Sequence, residues 1–305
     1  IYIGGNDSMD TIKKLSDYAI ITGQTQKFLG VPKTIDNDLA LTDHTPGFGS
    51  AAKYIAASTK EVIRDAEGLT YKKNMITIME IMGRNAGWLT GATALSKSED
   101  CEGPDLIYLP EVPFDIEKFL AKVKDLLKKK SSVVIAVSEG IRDQNGHFLD
   151  DDSKYAKKDA FGHVLHSGTG KLLESLVFKE FGCKVRSIEL NVLQRCAMHI
   201  ASKTDLNESF VIGSKAIDKA LENVSGHVMG FKRLSNHPYE IDYISTDVRE
   251  VANYEQKIPV EWINEEGNDI TQELYEYLYP LIQGEVHVTY KDGIPSYYSC
   301  KHLEK

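Results

Sequence analysis

The chain has 305 residues, 42% hydrophobic and 27% charged, with a formal net charge of −9. This is the composition of an ordinary globular chain, long enough for two α/β domains or one large one, and the acidic balance argues against a nucleic-acid surface or an anionic membrane as partner. An acidic protein that handles phosphates must gather its cations in one place or borrow Mg²⁺.

Residues 1–3 read as a short buried strand that runs straight into Gly4-Gly5, and an entry so abrupt predicts that an N-terminal portion of the fold is lacking. Gly4-Gly5-Asn6-Asp7-Ser8 then turns into a helix, with Asp7 or Ser8 as N-cap and Met9, Ile12 and Leu15 on its inner face. A strand, a turn of small residues and a helix N-terminus form a phosphate cradle, although the glycine pair alone is a weak signal.

The strand that ends near Val31 leads into Pro32-Lys33-Thr34-Ile35-Asp36-Asn37-Asp38. On an extended backbone Asp36 and Asp38 face the same side, which suits a base and a metal ligand serving one substrate. Their repulsion invites a cation, and Lys33 alternates to the opposite face unless a turn at Pro32 re-aims it. Taken alone, the stretch reads equally as a polar turn.

A helix is expected from residue 51 to about 66, and Met75 to Ile81 reads as a strand buried on both faces. That strand ends at Met82-Gly83-Arg84-Asn85-Ala86-Gly87-Trp88. Arg84, at a strand-to-helix turn, is placed to clamp a phosphate; an ordinary surface arginine is the alternative. The strand at 133–137 closes on Ser138-Glu139-Gly140, where Glu139 is either a sugar-hydroxyl acceptor or a plain turn carboxylate. Residues 143–158 read as a polar loop. Arg186 and Arg195 bracket a strand and the run Asn191-Val192-Leu193-Gln194. A helix is expected over 204–223, started by Thr204 or Asp205 with Glu208 closing a capping box. A strand over 224–234 bends at Gly226 and Gly230, and a hairpin around Asp292-Gly293 ends the chain as an addition to the fold.

Cys101, Cys183, Cys196 and Cys300 have neither zinc-like spacing nor the density of a disulfide framework, so a reducing cytoplasm is the expected setting. No apolar run reaches the roughly 18 residues of a membrane span, and no signal peptide is expected.

The motifs now on the page resemble the 6-phosphofructokinases in order and rough spacing, from the first residue to about Asn264. Pro32–Asp38 and Met82–Trp88 are the strong matches. Gly4–Ser8, Ser138–Gly140 and Leu193–Arg195 support them. The resemblance implies an α/β fold of two Rossmann-like lobes of mostly parallel sheet flanked by helices. Residues 1–47 and 194–245 would form the phosphoryl-donor lobe, 48–193 the fructose 6-phosphate lobe, and 246–305 a C-terminal helix and hairpin. It also implies a homo-oligomer, dimer or tetramer. Asp7 and Lys33 stand where pyrophosphate users of the family differ from ATP users. A side chain at position 7 crowds the room a nucleotide needs, and Lys33 offers a point charge to a small anionic donor.

By resemblance, Asp36 is the base that takes the proton of the sugar 1-hydroxyl, Thr34 contacts the transferring group or the sugar, and Lys33 stabilises pyrophosphate. Gly4, Gly5, Asp7 and Ser8 bind the donor. Ile35, Met82, Gly83, Arg84, Glu139, Arg186, Val192, Leu193, Gln194 and Arg195 bind fructose 6-phosphate, with one arginine supplied by a neighbouring subunit. Mg²⁺ is the expected cofactor, held by Asp7, Asp38 and Asn6. Asn6, Val192 and Met75 depart from the family pattern. They leave open a non-catalytic sugar-phosphate-binding regulatory subunit, beside the second alternative of an ATP-dependent enzyme.

Overall fold

The computed structural model describes residues 1–69, 73–149, 157–158, 164–165 and 168–298. Its first half runs β1 (Tyr2–Gly4), α1 (Asn6–Thr22), β2 (Leu29–Pro32), α2 (Phe48–Gly68), β3 (Met75–Ile81), α3 (Trp88–Gly91), β4 (Leu106–Tyr108), α4 (Ile116–Leu127) and β5 (Ser132–Ser138). It continues with the short pair β6 (Lys157–Lys158) and β7 (Val164–Leu165), then α5 (Thr169–Phe181), β8 (Lys184–Glu189), α6 (Leu193–Cys196) and α7 (Lys203–Leu221). β9 (His227–Asn236), β10 (Tyr239–Asp247), α8 (Gln272–Leu278), β11 (Tyr290–Lys291) and β12 (Ile294–Pro295) complete it.

Two four-stranded sheets organise these elements, in the orders β1-β2-β9-β10 and β4-β5-β3-β8. The second is parallel throughout, with Ile78 opposite Ile135 and Thr77 opposite Arg186. All seven residues of β3 are buried, as a strand covered on both faces requires. Its one charged member, Glu80, accepts the Gly170 N–H at 2.7 Å in the first turn of α5, where the helix dipole favours an anion. The first sheet is parallel except for β9 and β10, which pair antiparallel. No helix among the described residues is long and apolar enough to cross a membrane.

Several local expectations give way. Ile1, Tyr2 and Ile3 are 59%, 47% and 65% exposed rather than buried, because β1 is an edge strand paired only with β2. Helix α1 starts at Asn6 behind Gly5, with no side-chain cap, so Asp7 and Ser8 lie inside its first turn. Ser16 takes the inner position expected of Leu15, which is 38% exposed. The cap of α7 is Ser202, whose hydroxyl accepts the Asp205 N–H at 3.3 Å. Asp205 instead caps α2, accepting the N–H groups of Gly47 and Ser50 at 2.8 and 3.1 Å. Glu208 is likewise drawn away from the helix end, to His44 and Tyr239. Gly226, at φ +72, turns the chain just ahead of β9, while Gly230 lies within the strand. Of the expected polar loop 143–158, residues 150–156 lie outside the described ones, as does Cys300.

The terminal hairpin is present, with Asp292 and Gly293 at φ +53 and +83, the pair of left-handed residues a two-residue turn needs. The segment before it is integral to the core: Leu274, Tyr277 and Leu278 of α8 pack in one apolar cluster with Phe48, Ile55 and Trp88.

Candidate active site

Every parallel strand leaves its sheet at a carboxyl edge, and four such exits meet. The turns after β1, β2, β3 and β5 line one cleft of about 830 Å³ between the sheets. Edges of this kind are where open α/β sheets keep their ligands.

The turn after β2 is not the extended segment that alternation suggested. Regular pairing stops at Pro32; beyond it come a single parallel bridge between Thr34 and Gly47 and an antiparallel one between Leu39 and Glu255. Asn37 takes a left-handed conformation, φ +55, which its short polar side chain tolerates. Asp36 and Asp38 still reach the same cleft, through a turn rather than a pleat. The Asp36 N–H donates to the Thr34 hydroxyl at 3.2 Å, and that hydroxyl lies 3.3 Å from Asp36 Oδ2 as its donor. Thr45 Oγ1 donates to the Thr34 carbonyl at 2.8 Å. Asn37 itself is buried and donates to the Tyr277 hydroxyl at 3.0 Å.

The turn after β3 depends on Gly83 at φ +134, where a Cβ would lie 2.5 Å from the Ala86 carbonyl. Only glycine allows that conformation and that approach. The Gly83 N–H donates to Glu139 Oε1 at 3.2 Å, and the Ser138 hydroxyl donates to the Gly83 carbonyl at 2.6 Å. The two turns after β3 and β5 are thereby stitched together, with Arg84 beside them.

Three carboxylates of the cleft, Asp36, Asp38 and Glu139, hold their protons more tightly than free ones. Asp36 stands open to the cleft, yet the walls around it desolvate its charged form and raise its pKa; the Thr34 hydroxyl, then Arg195, Lys33 and Arg84, pull the other way. Asp38 is pushed up to about 7, by burial first and then by the charges of Asp36, Glu255 and Asp7. Glu139 is also raised to about 7, by burial above all, with Glu80 and Asp36 adding and the Gly83 N–H and Arg84 opposing. All three are raised chiefly by burial, and a carboxylate so perturbed in a cleft is a candidate for proton transfer.

The cleft gathers Gly5, Asn6, Asp7, Ser8, Thr34, Asp36, Asp38, Met82, Gly83, Arg84 and Glu139 from the residues singled out in the sequence. Lys33, Ile35, Gln194 and Arg195 line a neighbouring, mostly apolar groove of about 620 Å³ on the other side of the same turn. From there the charges of Lys33 and Arg195 act on Asp36. Gly4 ends β1, and its carbonyl accepts the Lys33 N–H at 3.0 Å. Val192 and Leu193 are exposed and line neither space. Arg186 sits in the middle of edge strand β8, exposed, 3.7 Å from Asp65 Oδ2 and away from the cleft.

The cleft also holds residues that sequence reasoning passed over. Asn85 and Ala86 belong to a recognised motif but had no role; Asn253, Tyr254 and Glu255 carry no local signal at all. Asn6 is engaged at both ends of its amide. Its Oδ1 accepts the Asn253 N–H at 3.0 Å and its Nδ2 donates to the Tyr254 carbonyl at 3.5 Å.

Asp7 and Asp38 give the cleft carboxylate oxygens of one sign, chemistry that fits Mg²⁺. Among the described residues no three His, Cys, Asp or Glu side chains close into a ready cage. Mg²⁺ commonly keeps much of its water and binds through one or two carboxylates plus substrate phosphates.

A helix N-terminus and an arginine for anions, carboxylates for a proton and a cation: the arrangement suits phosphoryl transfer. The profile of the phosphofructokinase family matches residues 1–219, and the chain belongs to that family. The pyrophosphate–fructose 6-phosphate 1-phosphotransferase of Xanthomonas campestris is 40% identical over 304 residues, 99% of this chain and 72% of that protein. Its counterpart from Halomonas elongata is 39% identical over 96% of this chain and 70% of its own. The crystal structure of a pyrophosphate-dependent phosphofructokinase from Nitrosospira multiformis superposes with a TM-score of 0.87 at 38% identity, covering 97% of this chain and 70% of that one. The likeness thus runs through the C-terminal segment, which is no addition peculiar to this chain.

Proposed function

We propose that the chain is a pyrophosphate-dependent phosphofructokinase: it transfers a phosphoryl group from pyrophosphate to the 1-hydroxyl of fructose 6-phosphate, giving fructose 1,6-bisphosphate and phosphate, reversibly. The observation that carries this is that Asp36 and Asp7 line one cleft, in a chain about 40% identical to proteins named for that reaction.

In this reading Asp36 takes the 1-hydroxyl proton, and the oxygen attacks phosphorus in line while pyrophosphate's bridging bond breaks. Phosphoryl transfer asks for alignment and charge neutralisation more than covalent help. The raised pKa of Asp36 supports a proton acceptor poised closer to neutral pH than a free aspartate. Thr34 holds the Asp36 carboxylate in place. The N-terminus of α1 would receive the donor through the N–H groups of Gly5, Asn6 and Asp7, which precede the first bond of the helix, Ser8 N–H to the Gly5 carbonyl, with the Ser8 hydroxyl beside them. Arg84 would neutralise the sugar phosphate, and Glu139 would bond sugar hydroxyls in either protonation state. Asp7 and Asp38 would hold Mg²⁺, which supplies charge neutralisation at the transferring group. Lys33 and Arg195 favour the ionised form of Asp36 from the adjoining groove, which supports an electrostatic part for both.

Strand membership supports assigning residues 1–47 and 194–245 to the donor lobe and 48–193 to the sugar lobe, with 246–305 following. We also infer a homo-oligomer. The outward position of Arg186 and the exposed Leu206, Phe210, Ile217 and Leu221 of α7 support it, and size-exclusion with light scattering decides it. The unpaired Cys101, Cys183 and Cys196 are in keeping with a cytoplasmic setting.

A coupled assay offering pyrophosphate and ATP in parallel tests the function. Turnover is expected with pyrophosphate; turnover with ATP alone would overturn the donor, and turnover with neither would favour a regulatory subunit.

A further inference from the structure

The stretch Asn253–Gln256 belongs to no motif, yet it is bonded to three walls of the cleft. Asn253, at φ +69, donates its N–H to Asn6 Oδ1 and its side-chain amide to Asp10 Oδ1, at 3.0 and 3.1 Å, on the α1 side. Glu255 forms an antiparallel bridge with Leu39, and the Gln256 N–H donates to the Asp38 carbonyl at 2.7 Å, on the β2 side. Glu255 Oε1 accepts Asn85 Nδ2 at 2.8 Å, and the Gln256 carbonyl accepts the Trp88 indole N–H at 3.0 Å, on the β3 side. Asn85 in turn accepts from Arg142 Nη2 at 2.8 Å.

The turns after β1 and β2 leave one sheet and the turn after β3 leaves the other, and the two sheets share no strand pairing. Four consecutive residues therefore span from the donor side to the sugar side. Asn6 acquires a reason here. Its amide accepts with one end and donates with the other. A carboxylate at position 6 would turn a negative charge toward the Tyr254 carbonyl and join Asp7, Asp36, Asp38 and Glu255.

We propose that Asn253–Gln256 is a strap that sets the spacing of the two cleft walls, with Glu255 as the positioning residue that orients the Arg84-bearing turn through Asn85. The substrates named in its test rest on the function proposed above.

The test compares Glu255→Ala, Glu255→Gln and Asn85→Ala with the unmutated protein. Glu255→Ala is expected to raise KM for fructose 6-phosphate roughly tenfold while kcat stays within about twofold, since a bond that orients a binding group affects binding more than chemistry. Glu255→Gln keeps an acceptor oxygen for Asn85 and is expected to restore KM to within about threefold. Asn85→Ala should reproduce the alanine effect, and the double variant should add little to either single change. Amide exchange over residues 82–86 should quicken in Glu255→Ala and Asn85→Ala without any substrate. Equal impairment by Gln and Ala, a fall in kcat at constant KM, or unchanged exchange over 82–86 overturns the strap. The exchange arm needs no turnover, so it still decides the strap if the unmutated protein proves inactive with pyrophosphate.

Discussion

The Asn37 side-chain amide donates to the Tyr277 hydroxyl at 3.0 Å, and that hydroxyl donates on to the Asp43 carbonyl at 2.5 Å. The residue that turns the chain between Asp36 and Asp38 is thus held from behind by α8. Tyr277 is buried against Trp88 and Trp262, with ring centroids 5.1 and 5.4 Å away. Tyr277→Phe keeps the ring and leaves the buried Asn37 amide without this acceptor, at a cost of about 1–3 kcal/mol. Urea denaturation is expected to show that loss, with kcat lowered more than KM because the shift is transmitted to Asp36.

Asp36→Asn is expected to lower kcat by roughly 10²–10⁴-fold while fructose 6-phosphate affinity stays within a few fold. Calorimetric titration beside steady-state kinetics separates the two. Arg195→Gln removes the largest of the cationic charges favouring ionised Asp36. It should move the acid limb of the kcat/KM profile to higher pH, and an unmoved limb would exclude Asp36 as its source.

Stability without ligands should fall as pH rises from about 4 to above 7. Asp38 and Glu139, with ordinary values of 3.8 and 4.5, are both raised to about 7. Between those values the folded state binds more protons than the unfolded state, so raising pH favours unfolding. Asp38→Asn should flatten the slope, as should millimolar Mg²⁺ with pyrophosphate, which favours the ionised carboxylates. Urea midpoints across that range check it.

His44 lies buried with Nδ1 2.8 Å from Asp43 Oδ2 and Nε2 2.7 Å from Glu208 Oε2, its ring stacked on Phe231. Burial pulls its pKa down, but the two carboxylates outweigh it and leave the imidazole above its ordinary 6.5. Its contribution is therefore complete below about 6.5 and is lost as pH rises through the folded value. His44→Gln leaves Glu208 without a cation beside it and should cost about 3–5 kcal/mol, measured by urea denaturation below pH ~6.5, with the difference shrinking at alkaline pH.

The double change Lys33→Gly with Asp7→Gly should bring measurable ATP turnover and weaken pyrophosphate use. Asp7 lines the cleft and Lys33 the neighbouring groove, so Asp7→Gly alone is expected to supply most of the room for a nucleotide. Donor-competition kinetics on the single and double variants separate the steric part from the electrostatic one.

Local chemistry made much of this protein legible. The apolar run of β3, the glycines flanking Arg84, and the carboxylates at 36 and 38 announced a parallel sheet with ligands at its carboxyl edge, and they were recognisable as phosphofructokinase motifs. The errors fell where a neighbour distant in the chain outcompeted a local partner. Asp205 caps α2 instead of its own helix, and Glu208 pairs with His44. A capping residue is chosen by whichever free N–H groups lie within reach, and sequence spacing supplies only the local candidates.

The sequence by itself determined the chemistry: which residues can move a proton, bind an anion or attract a divalent cation, and that they stand at strand ends. Tertiary structure decided which of them share one space. It put Asp36, Asp38, Arg84 and Glu139 in the cleft, Lys33 and Arg195 behind the turn, and Arg186 outside. It also brought in Asn253–Glu255, for which no local pattern spoke. Charge, hydrogen-bonding capacity and backbone preference belong to single residues and their near neighbours, whereas desolvation and proximity come only from the packing of segments far apart in the chain.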